Sequence, residues 1–329
     1  MKAQENTMDE KIIQVRNLKT YFYSYEGVMP AVDDLSFEIS KGETLAVVGE
    51  SGCGKSVTSM SLLKLIKPPG KIVSGEILYK NENLLDKTHE EMRSIRGKEI
   101  SMIFQEPSAS LNPVIKIGRQ MTESILTHIA MSRKEAYERS VALLRKVGIP
   151  SPERIMESYA YELSGGMCQR VMIAMAISCN PKILICDEPT TALDVTIQAQ
   201  ILRLLKELKK ETGASIMLIT HDMGIVAQMA EKVMVMYSGQ AVEYTDVREI
   251  FKNPLHPYTA GLLNSIPKLT ENQDRLYNIE GMVPGPKDLP KGCRFAPRCE
   301  FAKERCYEIM PELIDAGKGH QVRCFKYGK

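Results

Sequence analysis

A strand-like run, Thr44–Val48, opens into Gly49-Glu50-Ser51-Gly52-Cys53-Gly54-Lys55-Ser56, and a helical pattern follows through Leu65. Glycines at that spacing let backbone N–H groups turn inward around a phosphate, and the helix start adds partial positive charge. Lys55 has the reach for the β- and γ-phosphates of a nucleoside triphosphate, and the Ser56 hydroxyl is a magnesium ligand. The expected nucleotide contacts are Gly49, Ser51, Gly52, Cys53, Gly54, Lys55, Ser56 and Val57. Average residue usage makes a chance match in a chain of this length an event of about 1 in 100. A glycine-rich turn without a ligand is the bland alternative, and the strand–loop–helix setting speaks against it.

Four further residues extend this chemistry. The apolar run Ile183–Cys186 ends in Asp187-Glu188, a pair suited to holding magnesium, directly or through water (Asp187), and to polarising an attacking water (Glu188). His221 follows the run Ser215–Thr220, where it can hydrogen-bond a γ-phosphate. Gln105 follows Ile100–Phe104, where its amide can reach magnesium or the water. A histidine or glutamine at a strand end is ordinarily structural, and only the ordered set gives these two a chemical role. Leu163-Ser164-Gly165-Gly166 then opens a helix running to about Ser178. Ser164 reads as its N-cap, and a capped, glycine-rich helix start is also an anion site. One chain has no second phosphate loop to supply that anion, so Ser164 and Gly166 point to a dimer.

The elements that must position these residues are legible as alternating short apolar runs and helical stripes up to about residue 250. Lys11–Val15, Glu76–Tyr79 and Lys232–Tyr237 join the four runs above as expected strands, several continuous enough for a sheet covered on both faces. Ile197, Ile201, Leu204, Leu205 and Leu208 make an apolar stripe, read as core, with Gly213 as its stop. Residues 113–161 offer no strand and read as a helical insertion. After Phe251 the pattern is broken by Pro254, Pro257, Pro267, Pro284, Pro286, Pro290 and Pro297, which marks a small appended domain. The expected organisation is a nucleotide-binding domain over residues 1–252, with a helical subdomain at about 106–180, and a C-terminal domain over 253–329.

Bulk properties narrow the class. The 329 residues are 43% hydrophobic and 26% charged, enough for one large α/β domain and a smaller one. A formal net charge of +2 argues against a dedicated nucleic-acid binder. No run approaches the roughly 18 to 20 apolar residues of a membrane-spanning helix. Met1–Glu10 is polar and does not read as a secretory signal. A cytosolic protein is expected, linked to a membrane through partners alone.

Taken together, these motifs resemble the nucleotide-binding subunit of an ATP-binding-cassette (ABC) transporter from about Ile12 to Phe251. The fold implied is an α/β P-loop NTPase cassette: a RecA-like core sheet, an antiparallel β subdomain, an inserted α-helical subdomain, and here a small irregular Cys-rich C-terminal domain. The resemblance implies two such subunits sandwiching two ATPs head to tail with Mg2+, Ala192-Leu193-Asp194 coupling the sites. It also implies that an aromatic at Phe22, or its neighbours Tyr21 and Tyr23, stacks on adenine. Met167 stands where most cassettes have glutamine. The strings Leu163–Ala176, Thr190–Gln200 and Asn253–Thr259 nevertheless resemble the dipeptide and oligopeptide importer branch, the D-subunit type in particular. That branch implies a second ATPase subunit in a heterodimer, two integral membrane permeases docking near residues 106–126, an extracytoplasmic peptide-binding protein, and a peripheral location on the cytoplasmic face of the membrane. Nickel importers share much of the pattern. Soluble cassettes of DNA repair carry a long coiled coil and translation factors carry two cassettes; this sequence has neither. An iron–sulfur assembly ATPase is the remaining soluble alternative.

Eight cysteines fall into two groups. Cys53, Cys168, Cys179 and Cys186 sit in apolar or motif contexts and read as small hydrophobes. Cys293-x5-Cys299-x6-Cys306-x17-Cys324 lacks the short gaps of common zinc frameworks, and disulfides are uncommon in a cytosol. Four thiols in a loop-rich segment also suit a 4Fe–4S cluster, the reading that the family resemblance favours. Zinc and free or bonded thiols stay open beside it.

Overall fold

Apolar runs without alternation become strands covered on both faces: Thr44–Val48, Ile183–Asp187 and Ser215–Thr220 are buried at every residue. The structure, a computed structural model, describes residues 10–25, 27–191, 193–266, 278–285 and 288–328. Residues 1–9, Ala192 of the expected coupling loop, and Pro267 and Pro286 lie outside them.

In chain order the first elements are β1 (Lys11–Ser24), β2 (Gly27–Ser40), β3 (Thr44–Val48), α1 (Lys55–Leu62), β4 (Gly70–Tyr79), β5 (Glu82–Asn83), α2 (His89–Ile95) and β6 (Ile100–Ile103). There follow α3 (Pro107–Ser110), α4 (Ile117–Leu126), α5 (Arg133–Lys146), α6 (Pro152–Glu157), α7 (Gly165–Ala176), β7 (Ile183–Asp187), α8 (Val195–Thr212) and β8 (Ser215–Thr220). The last are α9 (Met223–Met229), β9 (Lys232–Tyr237), β10 (Gln240–Asp246), α10 (Val247–Lys252), α11 (Pro257–Asn264), α12 (Glu304–Glu308), β11 (Ile314–Asp315) and β12 (Gln321–Val322).

The chain divides into two compact units. The first holds Ser40–Glu43 and Asp86–Ile219. In it β6, β7 and β8 run parallel, with Ile103 opposite Cys186 and Asp187 opposite Ile219. Residues 113–161 form α4, α5 and α6, the helical insertion expected from the sequence. Ser132 and Glu135 close a capping box at the start of α5. Gly213 ends α8 in the left-handed conformation, φ 67°. Of the α8 stripe, Ile201, Leu204, Leu205 and Leu208 are buried, but Ile197 is only half-buried and is not core.

The second unit holds Lys11–Ile39, Thr44–Leu85 and the described residues from Thr220 onward. One sheet runs β2-β1-β4-β5. β1 extends well beyond Val15 and pairs antiparallel with β4, Phe22 opposite Gly70. The sequence did not reveal β2, because Pro30 and Asp33-Asp34 interrupt its apolar positions and Asp34 takes a positive φ of 57°. Elsewhere in this unit β3 lies parallel to β9, β9 antiparallel to β10, and β12 antiparallel to both β10 and β11. The C-terminal segment therefore supplies one strand, β12, that pairs directly with β10, and β11 that pairs with β12. Tyr258 and Phe295 from that segment share one apolar cluster with Val48, Val235 and Tyr237. Helix α1 ends at Leu62, short of Leu65, because Lys64 turns to φ 49°. Among the described residues no helix is long and apolar enough to cross a membrane.

Candidate functional site

The phosphate loop is held from below by strands and from the side by a turn. A Cβ on Gly49 would lie 2.2 Å from the Met236 carbonyl oxygen, and one on Gly54 would lie 2.3 Å from that of Ala31. Both are backbone contacts, so glycine is required where the loop crosses β2 and β9. Gly54, φ 100°, caps α1, whose Thr58 hydroxyl returns to the Gly54 carbonyl at 2.9 Å. The Lys55 ammonium donates to the carbonyls of Gly49 (2.8 Å) and Glu50 (3.0 Å), while Ser56 and Val57 are half-buried beside it. Ser51 and Gly52 stand exposed at the crest of the loop. Cys53 is buried; burial pushes its thiol up, against the lowering charge of Lys55. These backbone amides, one ammonium and one hydroxyl make an anion cradle with a cation ligand beside it.

In the other unit, Asp187 ends buried β7 and Glu188 turns away from it at φ 45°. The Glu188 carboxylate accepts from Gln105 Nε2 at 3.1 Å and from the Thr191 hydroxyl at 2.9 Å. Gln105 and Glu188, 83 residues apart in sequence, are thus brought together by the parallel pairing of β6 and β7. Thr191 is a site residue that sequence reasoning missed; its place three residues after Glu188 was the available signal. His221 follows β8 directly and is exposed.

Ser164 caps α7, its hydroxyl accepting from the Met167 N–H at 3.3 Å. Ser164, Gly166, Leu193, Asp194 and Ile197 line one open pocket of about 400 Å³. A Cβ on Gly166 would come within 3.2 Å of Ile197, which explains why Ile197 leaves the core stripe. Asp194 caps α8 by accepting from the Ile197 N–H at 2.9 Å. The capped start of α7 reaches solvent at Gly165, the arrangement of a helix N-terminus open to an anion. A larger groove, about 820 Å³, lies along α4 and includes Lys116, Arg119, Glu123 and Leu126.

The three side-by-side aromatics separate. Tyr21 donates to Asp33 at 2.7 Å, and burial with that carboxylate raises its hydroxyl. Phe22 is half-buried with its ring over Gly70, where a Cβ would meet it at 2.7 Å. Tyr23 is 44% exposed.

Cys293, Cys299, Cys306 and Cys324 line one cavity of about 90 Å³ together with Lys303, Arg305 and Lys326. None of the four is joined in a disulfide, and all are part-buried. Burial, and then the neighbouring thiols, push Cys293 up to about 11. Among the described residues no three His, Cys, Asp or Glu side chains stand close enough to hold a single metal ion.

Arg298 and Tyr258 tie the phosphate loop to this C-terminal segment, and Arg294 ties the segment to β2 and to the turn after β9. Arg298 grips Glu50 with two hydrogen bonds, Nη1 to Oε2 at 2.8 Å and Nη2 to Oε1 at 3.2 Å. The Glu50 N–H donates to the Tyr258 hydroxyl at 2.9 Å. Arg294 donates to the Ser238 carbonyl and pairs with Asp33. No local pattern announces a contact spanning 248 residues.

A family model described as "ABC transporter" matches residues 32–191, and one described as "Oligopeptide/dipeptide transporter, C-terminal region" matches 242–306. Over 317 residues the chain is 54% identical to the oligopeptide transport ATP-binding protein AppD of Bacillus subtilis, covering 96% of this chain and 97% of that protein. It is 48% identical over 317 residues to the dipeptide transport ATP-binding protein DppD of the same bacterium, covering 96% and 95%. Among solved structures, the dimeric ATP-binding cassette MJ0796 in a post-hydrolysis state bound to ADP and Pi matches with a TM-score of 0.65. That match is 28% identical and covers 72% of this chain and 99% of the other.

Proposed function

This chain belongs to the ATP-binding proteins of the oligopeptide/dipeptide importer type of ABC transporter, and we propose that it works there as one half of a dimer that closes on ATP and reopens on hydrolysis. It binds and hydrolyses ATP to power peptide uptake through partner membrane permeases. The observation that carries the chemistry is the Glu188 carboxylate, oriented by Gln105 and Thr191 at the end of a buried strand. In this reading the loop amides from Gly49 to Ser56 and the Lys55 ammonium bind the phosphates, and Phe22 stacks on adenine. Ser56 and Gln105 and, directly or through water, Asp187 would hold magnesium, which would supply positive charge to the phosphate oxygens. Glu188 takes a proton from water as its oxygen bonds to the γ-phosphorus. The bond to the bridging oxygen breaks, leaving ADP and phosphate, with His221 donating to the γ-phosphate. Ser164 and Gly166 contact the γ-phosphate bound to the other subunit.

The pocket formed by Ser164, Gly166 and Asp194 supports that head-to-tail arrangement, with a second ATPase subunit as the partner of a heterodimer. The groove along α4 takes the cytosolic helix of a permease, which places the chain peripherally on the cytoplasmic membrane face; an extracytoplasmic peptide-binding protein delivers substrate to the permeases. The deciding experiment measures ATP turnover of the assembled complex in vesicles. Turnover stimulated by permeases and a dipeptide is expected. A rate indifferent to both would overturn the transport role, and Ni2+ uptake in place of dipeptide uptake would replace the solute.

We assign a 4Fe–4S cluster to Cys293, Cys299, Cys306 and Cys324, supported by their one shared cavity and its cationic rim. Protein purified without oxygen is expected to carry about four irons and four sulfides per chain. Stoichiometric zinc, or no metal, would overturn the assignment and leave the ATPase reading intact.

A further inference from the structure

The loop from Cys293 to Cys299 points its thiols into the cysteine cavity while the two arginines beside those thiols reach the phosphate loop. At one end, Arg298 is 5% exposed and forks onto the Glu50 carboxylate. Its remaining donors are spent on the carbonyls of Glu280 (3.0 Å) and Ile279 (3.2 Å) and on the Tyr237 hydroxyl (3.4 Å). A planar guanidinium so fully engaged has one orientation, and it fixes its carboxylate partner with it. At the other end, Arg294 holds the Ser238 carbonyl, and the next residue, Gly239, donates its N–H to the Cys53 carbonyl at 2.9 Å. Between the two ends Phe295 packs edge-on against Tyr237 (5.2 Å) and at a tilt against Tyr258 (5.4 Å), whose hydroxyl accepts from the Glu50 N–H. The cysteine-bearing loop therefore holds the phosphate loop directly at Glu50 and, only through the Ser238–Gly239 turn, at Cys53, on both flanks of its crest.

We propose that Arg298 of this loop, together with Tyr258, positions the nucleotide site: the two set the conformation of the phosphate loop through Glu50 and with it nucleotide affinity. The proposal rests on the reading of Gly49–Ser56 as the phosphate site. A packing role alone predicts lost stability on substitution. Positioning predicts weaker nucleotide binding by a chain that remains folded.

The test uses the full-length chain, equilibrium binding of a fluorescent ATP analogue, and thermal unfolding without nucleotide. Arg298→Ala is expected to weaken binding roughly tenfold. Arg298→Lys restores part of that affinity, and Tyr258→Phe, which keeps the ring and removes the hydroxyl, weakens binding severalfold at little change in Tm. Arg305→Ala is the control: its guanidinium lies 3.8 Å from the Phe325 ring in the same segment without reaching the loop, and wild-type binding is expected. If Arg298→Ala does not fold, Tyr258→Phe and Arg298→Lys carry the test. Wild-type affinity in the Arg298 and Tyr258 variants, or an equal loss in Arg305→Ala, would overturn the positioning role. Lys55→Ala separates the premise, since undiminished ATP binding in that variant would sink the phosphate-site reading itself.

Discussion

Glu188 occupies a left-handed backbone conformation that costs a non-glycine residue on the order of 1–3 kcal/mol. The turn recovers part of that through the Glu188 N–H to Ile219 carbonyl bond (3.0 Å) and the Thr191 N–H to Glu188 carbonyl bond (3.2 Å). Such strain is stable only when surrounding groups over-determine it, and here Gln105 and the Thr191 hydroxyl fix the side chain as well. Glu188→Gln keeps the shape and the Thr191 contact but removes the base. The expected result is a fall in ATP turnover of about 100-fold or more in the assembled transporter, with ATP affinity changed less than about twofold. Undiminished turnover would remove Glu188 from the chemistry. Gly49→Ala tests the cradle itself: its Cβ would sit 2.2 Å from a backbone oxygen of a central strand, which cannot move aside. Nucleotide binding is expected to fall by more than about tenfold, measured by equilibrium titration.

At the scale of elements, α7 combines a structural cap with an exposed N-terminus. Ser164→Ala removes the cap and is expected to cost about 1 kcal/mol in denaturant unfolding. Nucleotide binding by the isolated chain should stay unchanged while ATP turnover of the assembled complex falls; an equal loss in both would make Ser164 purely structural. The same helix shows what the sequence can and cannot disclose. Its cap and glycines are local, as are the glycine loop of β3–α1 and the left-handed stop at Gly213, so each was legible from a few residues. Buried parallel strands were legible because their apolar runs are continuous. β2 was hidden, since Pro30 and Asp33-Asp34 break its pattern at positions that only the neighbouring β1 makes tolerable. Ile197 was misassigned to the core because helical spacing does not distinguish a residue packed under a sheet from one packed beside Gly166. Arg298 and Tyr258 were invisible for a different reason: their partner is in the phosphate loop, and nothing in a Pro-rich segment encodes a contact that tertiary packing alone creates.

Across the molecule, the C-terminal segment is built into the cassette through a buried polar knot, and that knot has a pH dependence. Glu243, fully buried on β10, accepts from the backbone N–H groups of Leu255 and His256, each at 2.8 Å, and lies 2.7 Å from His320 Nε2. His256 caps α11 by accepting from the Tyr258 N–H at its Nδ1, 3.1 Å away, which requires that nitrogen to be unprotonated. Complete burial lowers the His256 imidazole from 6.5 to about 3. The folded chain therefore keeps His256 neutral while the unfolded chain takes up a proton near pH 6.5. The contribution is fully present above that pH and is lost progressively as pH falls from 6.5 toward 3, at about 1.4 kcal/mol per pH unit. Between pH 7.5 and 5.0 this amounts to a loss of about 2 kcal/mol. Other groups add their own acid sensitivity, so the informative quantity is a difference between variants. His256→Asn retains a capping acceptor without a titrating ring. Urea unfolding of both proteins at the two pH values is expected to give a stability drop about 2 kcal/mol smaller in the variant. An equal drop would mean that His256 is protonated in the folded chain.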